Sequence, residues 1–174
     1  MATKNSLVKI SSTTVGSNQA SVTLTGITST YKVHLFTFSN VTVDVDNQAL
    51  VVNFTSSGSP DTTANYTGHN MSIRDAGDAN RPFTNSTYGT IVENLGNASN
   101  EHANGHLFIF AAADSGEHTH CTVDTVYMTS GAAVRNEVGY FRHEQNETHD
   151  GVQIDIGGAN NITGGTFTLY GLID

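Results

Sequence analysis

In this chain apolar residues recur at every second position in short runs, and no stretch carries an apolar repeat at helical spacing. Glycine and β-branched residues depress helix propensity almost everywhere, leaving room for one short helix at residues 111–114. Strand-like runs stand at residues 7–10, 20–25, 31–38, 41–45, 48–55, 66–73, 88–92, 105–110, 117–129, 139–143, 152–156 and 166–172. Asp46 and Asn47 supply a hairpin turn, with Leu50, Val52 and Phe54 inward on the strand that follows. Residues 56–63, 75–87 and 97–104 read as polar connections, the second containing Pro82. About ten strands with short, turn-rich links predict an all-β fold, an antiparallel β-sandwich that is jelly-roll-like.

Some runs carry finer information. Residues 31–38 are partly apolar on both parities, as expected for a strand with the core on one side and an arm or neighbouring subunit on the other. The apolar parity changes within 117–129, which predicts a bulge near residues 124–126. Gly157, Gly158, Gly164 and Gly165 read as turns, and the closing run 166–172 builds the last strand into the sheet.

At 174 residues the chain suits a single domain over residues 1–174, with residues 1–21 available as a docking arm. A lone cysteine, Cys121, precludes an internal disulfide and fits a reducing cytoplasm. Residues 1–20 lack the apolar run and basic start of a signal peptide, and no apolar stretch is long enough to span a bilayer, so no membrane partner is expected. The formal net charge of −9, with only 7 scattered basic residues, argues against a nucleic-acid partner. Charged residues make up 13 %, about half the usual share, and Ser, Thr, Asn and Gly carry most of the polarity. The Asn-x-Ser/Thr triplets beginning at Asn40, Asn53, Asn65, Asn70, Asn85, Asn97, Asn146 and Asn161 follow from that composition and are not read as glycosylation sites.

The sharpest constellation of chemistry-bearing residues is Glu117, His118, His120 and Cys121. On a strand His118 and His120 share a face, and His106, His143 or His149 would complete a metal site. Asp44, Asp46 and Asn47 offer oxygen ligands for calcium, but no glycine stands where a calcium loop needs it; a hairpin turn with Asp44 solvated is expected. Asp61, Asp75 and Asp78 present the same choice. No hydrolase machinery assembles: Ser115 lacks a nucleophile elbow, and Cys121 and His120 face opposite ways. Glu144 and Glu147 lie in RHEQNETHD, which reads as a solvated loop. Tyr66, Tyr88 and Tyr140 are candidates for stacking on sugar, although packing is the expected role of each. No catalytic residue and no cofactor is assigned.

Three stretches, LTGITSTYKVHLFTFSNV (24–41), GHLFIFAAADSGEHTHCTVDTVYMTS (105–130) and GGTFTLYGLID (164–174), together resemble a family of small virion proteins of marine tailed bacteriophages. The resemblance implies a β-sandwich structural component of the particle without catalysis, and it carries over no site residues. On that basis the expected role is a capsid decoration, or cement, protein that forms homotrimers on the major capsid protein lattice of the virion, assembled in the host cytoplasm. The alternative is a receptor-binding or fibre subunit that recognises a host-surface glycan.

Overall fold

The computed structural model describes residues 6–173, which form thirteen strands, all paired antiparallel, and no helix. Eight strands make the large sheet, in the order β1 (Leu7–Val15), β13 (Ile162–Leu172), β3 (Val33–Val43), β9 (Ala103–Phe110), β10 (His118–Met128), β11 (Val134–Asn146), β6 (Tyr66–Ile73) and β7 (Ala79–Ser86). The small sheet runs β2 (Ser21–Thr25), β12 (Gly151–Asp155), β4 (Gln48–Ser56) and β5 (Ser59–Pro60), with β8 (Gly89–Leu95) also paired to β4.

The two sheets share one core. Inward positions of the large sheet supply Phe36, Phe38, Leu107, Ile109, Cys121, Val123, Phe141, Phe167 and Leu169; the small sheet supplies Val22, Leu24, Leu50, Val52, Phe54, Val152 and Ile154. Burial of these side chains, each worth about 1.5–3 kcal/mol, holds the layers together. Strand β4 is buried on both parities from Leu50 to Thr55, beyond the single inward face expected for it.

Several local readings change for physical reasons. The runs 31–38 and 41–45 merge into one strand, β3, over Val33–Val43, because Asn40 adopts φ 53 and absorbs an irregularity between Phe38 and Val41 without ending the ladder. Strand β10 runs in unbroken register through residues 124–126. The expected bulge is absent because the inward row continues through a polar residue: Thr125 is buried and donates its hydroxyl to the Ile91 carbonyl at 3.0 Å, while Val126 lies on the outer face. Residues 111–114 form a turn closed by Asp114 N–H to the Ala111 carbonyl, 3.0 Å, and not a helix. Gly164 and Gly165 lie inside β13 at register shifts, where Gly165 takes φ +128 beside the Val41 backbone.

The polar segment 75–87 contains a strand, β7, which tolerates Pro82 because it lies at the sheet edge. Its anchor is Arg81, ion-paired with Glu93 and, at 3.3 Å, with the fully buried Glu137, while Phe83 packs on the core. Part of the segment expected as an arm is also sheet: β1 pairs with β13 from Leu7 to Val15, and residues 1–5 fall outside the described region.

On β3 the inward row is His34, Phe36 and Phe38. His34 is 1 % exposed, neither ring nitrogen has a partner, and Tyr31 meets its ring edge-on at 5.9 Å. Burial lowers its pKa below the ordinary 6.5, so the folded protein keeps it neutral while an unfolded chain takes up a proton below that pH. This contribution to stability is complete above pH 6.5 and declines beneath it. His34→Leu should therefore gain in stability relative to the parent as the pH is lowered through 6.5, read from denaturant midpoints on either side of that value. A difference that stays constant with pH contradicts the assignment.

Candidate functional site

The described residues contain one group of three metal-capable side chains with their ligand atoms close together, and it lies at one end of the sandwich: His143, Glu147 and His149, all within 4.8 Å of one another. His143 is on β11, two positions after the core residue Phe141, and so points inward. Glu147 and His149 belong to the connection between β11 and β12.

That connection is tied down along its length. His149 N–H donates to the Ala112 carbonyl at 2.7 Å, and Asp150 N–H donates to the Thr55 carbonyl at 2.9 Å. The Asp150 carboxylate accepts from the Thr55 hydroxyl at 2.6 Å and from Gly58 N–H at 2.9 Å, while its carbonyl accepts from Gly26 N–H and Ile27 N–H. Gly151 follows, where a Cβ would meet the Leu24 carbonyl oxygen at 2.3 Å, so only glycine lets the chain enter β12 at this spacing.

Asp61, just after β5, faces His143 from the other side. Its Oδ1 accepts from Thr63 N–H at 2.8 Å and the Thr63 hydroxyl at 2.7 Å, leaving Oδ2 to meet His143 Nε2 at 2.6 Å. Burial pushes the Asp61 carboxyl upward, but the two Thr63 hydrogen bonds and His143 outweigh it, and the net shift is down. An ionised Asp61 can only accept, so His143 Nε2 carries the proton of that bond. His143 Nδ1 then faces Glu147 Oε1 at 3.6 Å, beyond hydrogen-bonding distance.

Aromatic rings enclose the histidines. Phe54 stacks on His149 at 4.8 Å and 24°, Tyr66 meets His143 edge-on at 4.8 Å, and the two imidazoles stand at 88° to each other, 4.9 Å apart. The Tyr66 hydroxyl accepts from Phe54 N–H at 2.9 Å and donates to the Asp61 carbonyl at 3.1 Å, linking the box to β4. His143 is 0 % and His149 2 % exposed. His143 Nδ1 and both nitrogens of His149 are buried without a hydrogen-bond partner. Burial first, then the neighbouring His143, lowers the His149 pKa to about 4, against a smaller opposing pull from Asp61 and Asp150. Burial raises the Glu147 carboxyl despite His143.

The other candidates are dispersed. His118 is half-buried and His120 exposed on the outer face of β10, with His120 beside Phe110 and Arg142; neither joins His143 or His149, and His106 lies further along that face beside Asp124. Glu117 precedes the strand, and Cys121 is on the opposite face, its thiol pushed well up by burial and so unreactive. Asp44 is not merely solvated: its carboxylate accepts from Asn161 N–H at 2.8 Å and Asn161 Nδ2 at 2.7 Å, which lowers its pKa. Asp46 and Asn47 form the expected turn, Asn47 at φ 62. The three tyrosines share no platform, since Tyr66 is in the core, Tyr88 borders a shallow groove with Gln153 and Asp155, and Tyr140 stands on the outer face of β11.

RHEQNETHD is thus only partly a solvated loop. Its first residues extend β11, and its two histidines enter the core. The signal for His143 was its shared parity with Phe141; His149 has none of that kind, because tertiary hydrogen bonds place it. No protein-family model matches this chain, and no curated protein matches it.

Asp150→Ala should cost about 1–3 kcal/mol, the usual penalty for leaving a buried hydrogen-bonding group unmet, here the Thr55 hydroxyl, seen as a lower denaturant midpoint with an unchanged slope. An unchanged midpoint would show that the β11–β12 connection is held by something else.

Proposed function

We propose that this chain is a structural component of a bacteriophage virion, a capsid decoration protein that packs as homotrimers on the major capsid lattice and performs no catalysis. The observation that carries this reading is the outer face of the large sheet. The register aligns Leu7, Leu172, Val33 and Phe110 in one row, and Tyr170, Leu35 and Phe108 in the next, across β1, β13, β3 and β9. Leu7 is 50 % and Phe110 38 % exposed.

These rows set half-buried and exposed apolar side chains next to one another on the outer face of the sheet, the kind of feature that marks a packing interface. Only Lys9 brings a charge into the two rows over these four strands. The stretches carrying the family resemblance, 24–41, 105–130 and 164–174, supply β3, β9, β10 and β13, which are neighbours at the centre of this sheet. The scattered tyrosines give the glycan-binding alternative no comparable surface.

Quantitative gels of purified virions should show the protein in stoichiometric proportion to the major capsid protein. A copy number typical of a tail or fibre component would overturn decoration in favour of receptor binding. Phe110→Glu, a change at an exposed position, should keep the parent's unfolding free energy within about 0.5 kcal/mol. The same variant should bind capsids stripped of the protein at least about tenfold more weakly, as loss of an interface anchor does. Undiminished attachment would show that this face is not the one used.

A further inference from the structure

We propose that His143, Glu147 and His149 bind a divalent transition-metal ion, zinc by preference, in a site that clasps the β11–β12 connection onto the core and is separate from the outer-face packing surface.

Three observations converge on a ligand. His149 is 2 % exposed, yet neither ring nitrogen has a partner, and His143 Nδ1 is equally orphaned. Buried polar atoms of this kind ordinarily have a partner, because leaving one unmet is costly. His143 Nδ1 and Glu147 Oε1 are 3.6 Å apart, too far for a hydrogen bond. That spacing is close to the roughly 3.4 Å that separates two ligands each about 2.1 Å from a tetrahedral ion. Finally, His143 Nε2 lies 2.6 Å from the Asp61 carboxylate, the arrangement in which an outer carboxylate fixes tautomer and ring orientation in metal-binding histidines.

The donor set decides the class of ion. Two imidazoles and one carboxylate suit zinc and its transition-metal neighbours, whereas calcium and magnesium require a shell of oxygens. The 4.8 Å limit on ligand separation leaves a small rotation of Glu147, the most exposed of the three, to close the site. A surface groove lined by Ser56, Ser57, Thr148 and His149 gives the ion a route in.

Full-length protein, freed of any affinity tag, stripped with chelator, reloaded with zinc chloride and desalted, should retain one zinc ion per chain by elemental analysis. Its thermal midpoint should rise on reloading. Glu147→Gln, a gentle change at a partly exposed side chain, should lose the bound zinc and the midpoint shift together, and His149→Gln should do the same. Asp61→Asn, which keeps all three ligands, should weaken zinc binding by about ten- to a hundredfold in calorimetric titration. A His118→Ala, His120→Ala double variant should retain zinc in full. Parent protein that holds no zinc after reloading, or a Glu147→Gln variant that holds as much as the parent, overturns the proposal; so does loss of zinc on changing His118 and His120 alone.

Discussion

An antiparallel ladder sends successive side chains to opposite faces, and in the eight-stranded sheet that period of two holds across β10 from Thr119 to Met128 against both neighbours wherever they pair. The assignment of every side chain on this sheet to core or outer face depends on it. His143 is inside because Phe141 is inside; His120 is outside because Cys121 is inside. A slip of one residue between β10 and β11 would exchange the Cys121, Val123 and Tyr127 row for the Thr122, Asp124 and Val126 row, exposing a core set and burying an aspartate. The buried histidine cluster and the exposed apolar rows are two consequences of one register.

The small sheet makes that register hold. Strand β4 is buried on both parities, with Leu50, Val52 and Phe54 inward and Val51, Asn53 and Thr55 also covered. Its polar members are satisfied by loops: Asn53 Nδ2 donates to the Asp61 and Thr87 carbonyls, each at 2.7 Å, and the Thr55 hydroxyl donates to Asp150. The segments bearing Asp61 and Asp150 are therefore fixed to the same strand whose Phe54 stacks on His149. Packing of the layers and assembly of the histidine cluster are coupled through β4.

The strands were legible where alternation was strong, as in β3, β10, β12 and β13, because burial on one face writes a period of two into the residues. β7 was not, since an edge strand held by Arg81 and Phe83 needs no apolar alternation and tolerates a proline. The bulge expected in β10 arose from the change of apolar parity near residues 124–126, because Thr125, a buried hydroxyl with a backbone partner, continues the core row without being apolar. Of the candidate site, the His118 and His120 pair was visible as a spacing and lies on the outer face, whereas the buried cluster joins residues far apart in the chain. His143 to Asp61 is a contact across 82 positions. Composition and spacing carry no information about such a pairing, which depends on the order of strands in two sheets.

The central claim is that the large sheet has two working faces, one packed on the small sheet and one that packs on the particle. A residue-resolution image of the assembled virion tests it most directly. The account predicts that the rows containing Val33, Leu35, Phe108 and Phe110 lie against a neighbouring virion subunit and are removed from solvent. Density showing those rows open to solvent, with the particle contacted through the small sheet or through the strand edges alone, would contradict it.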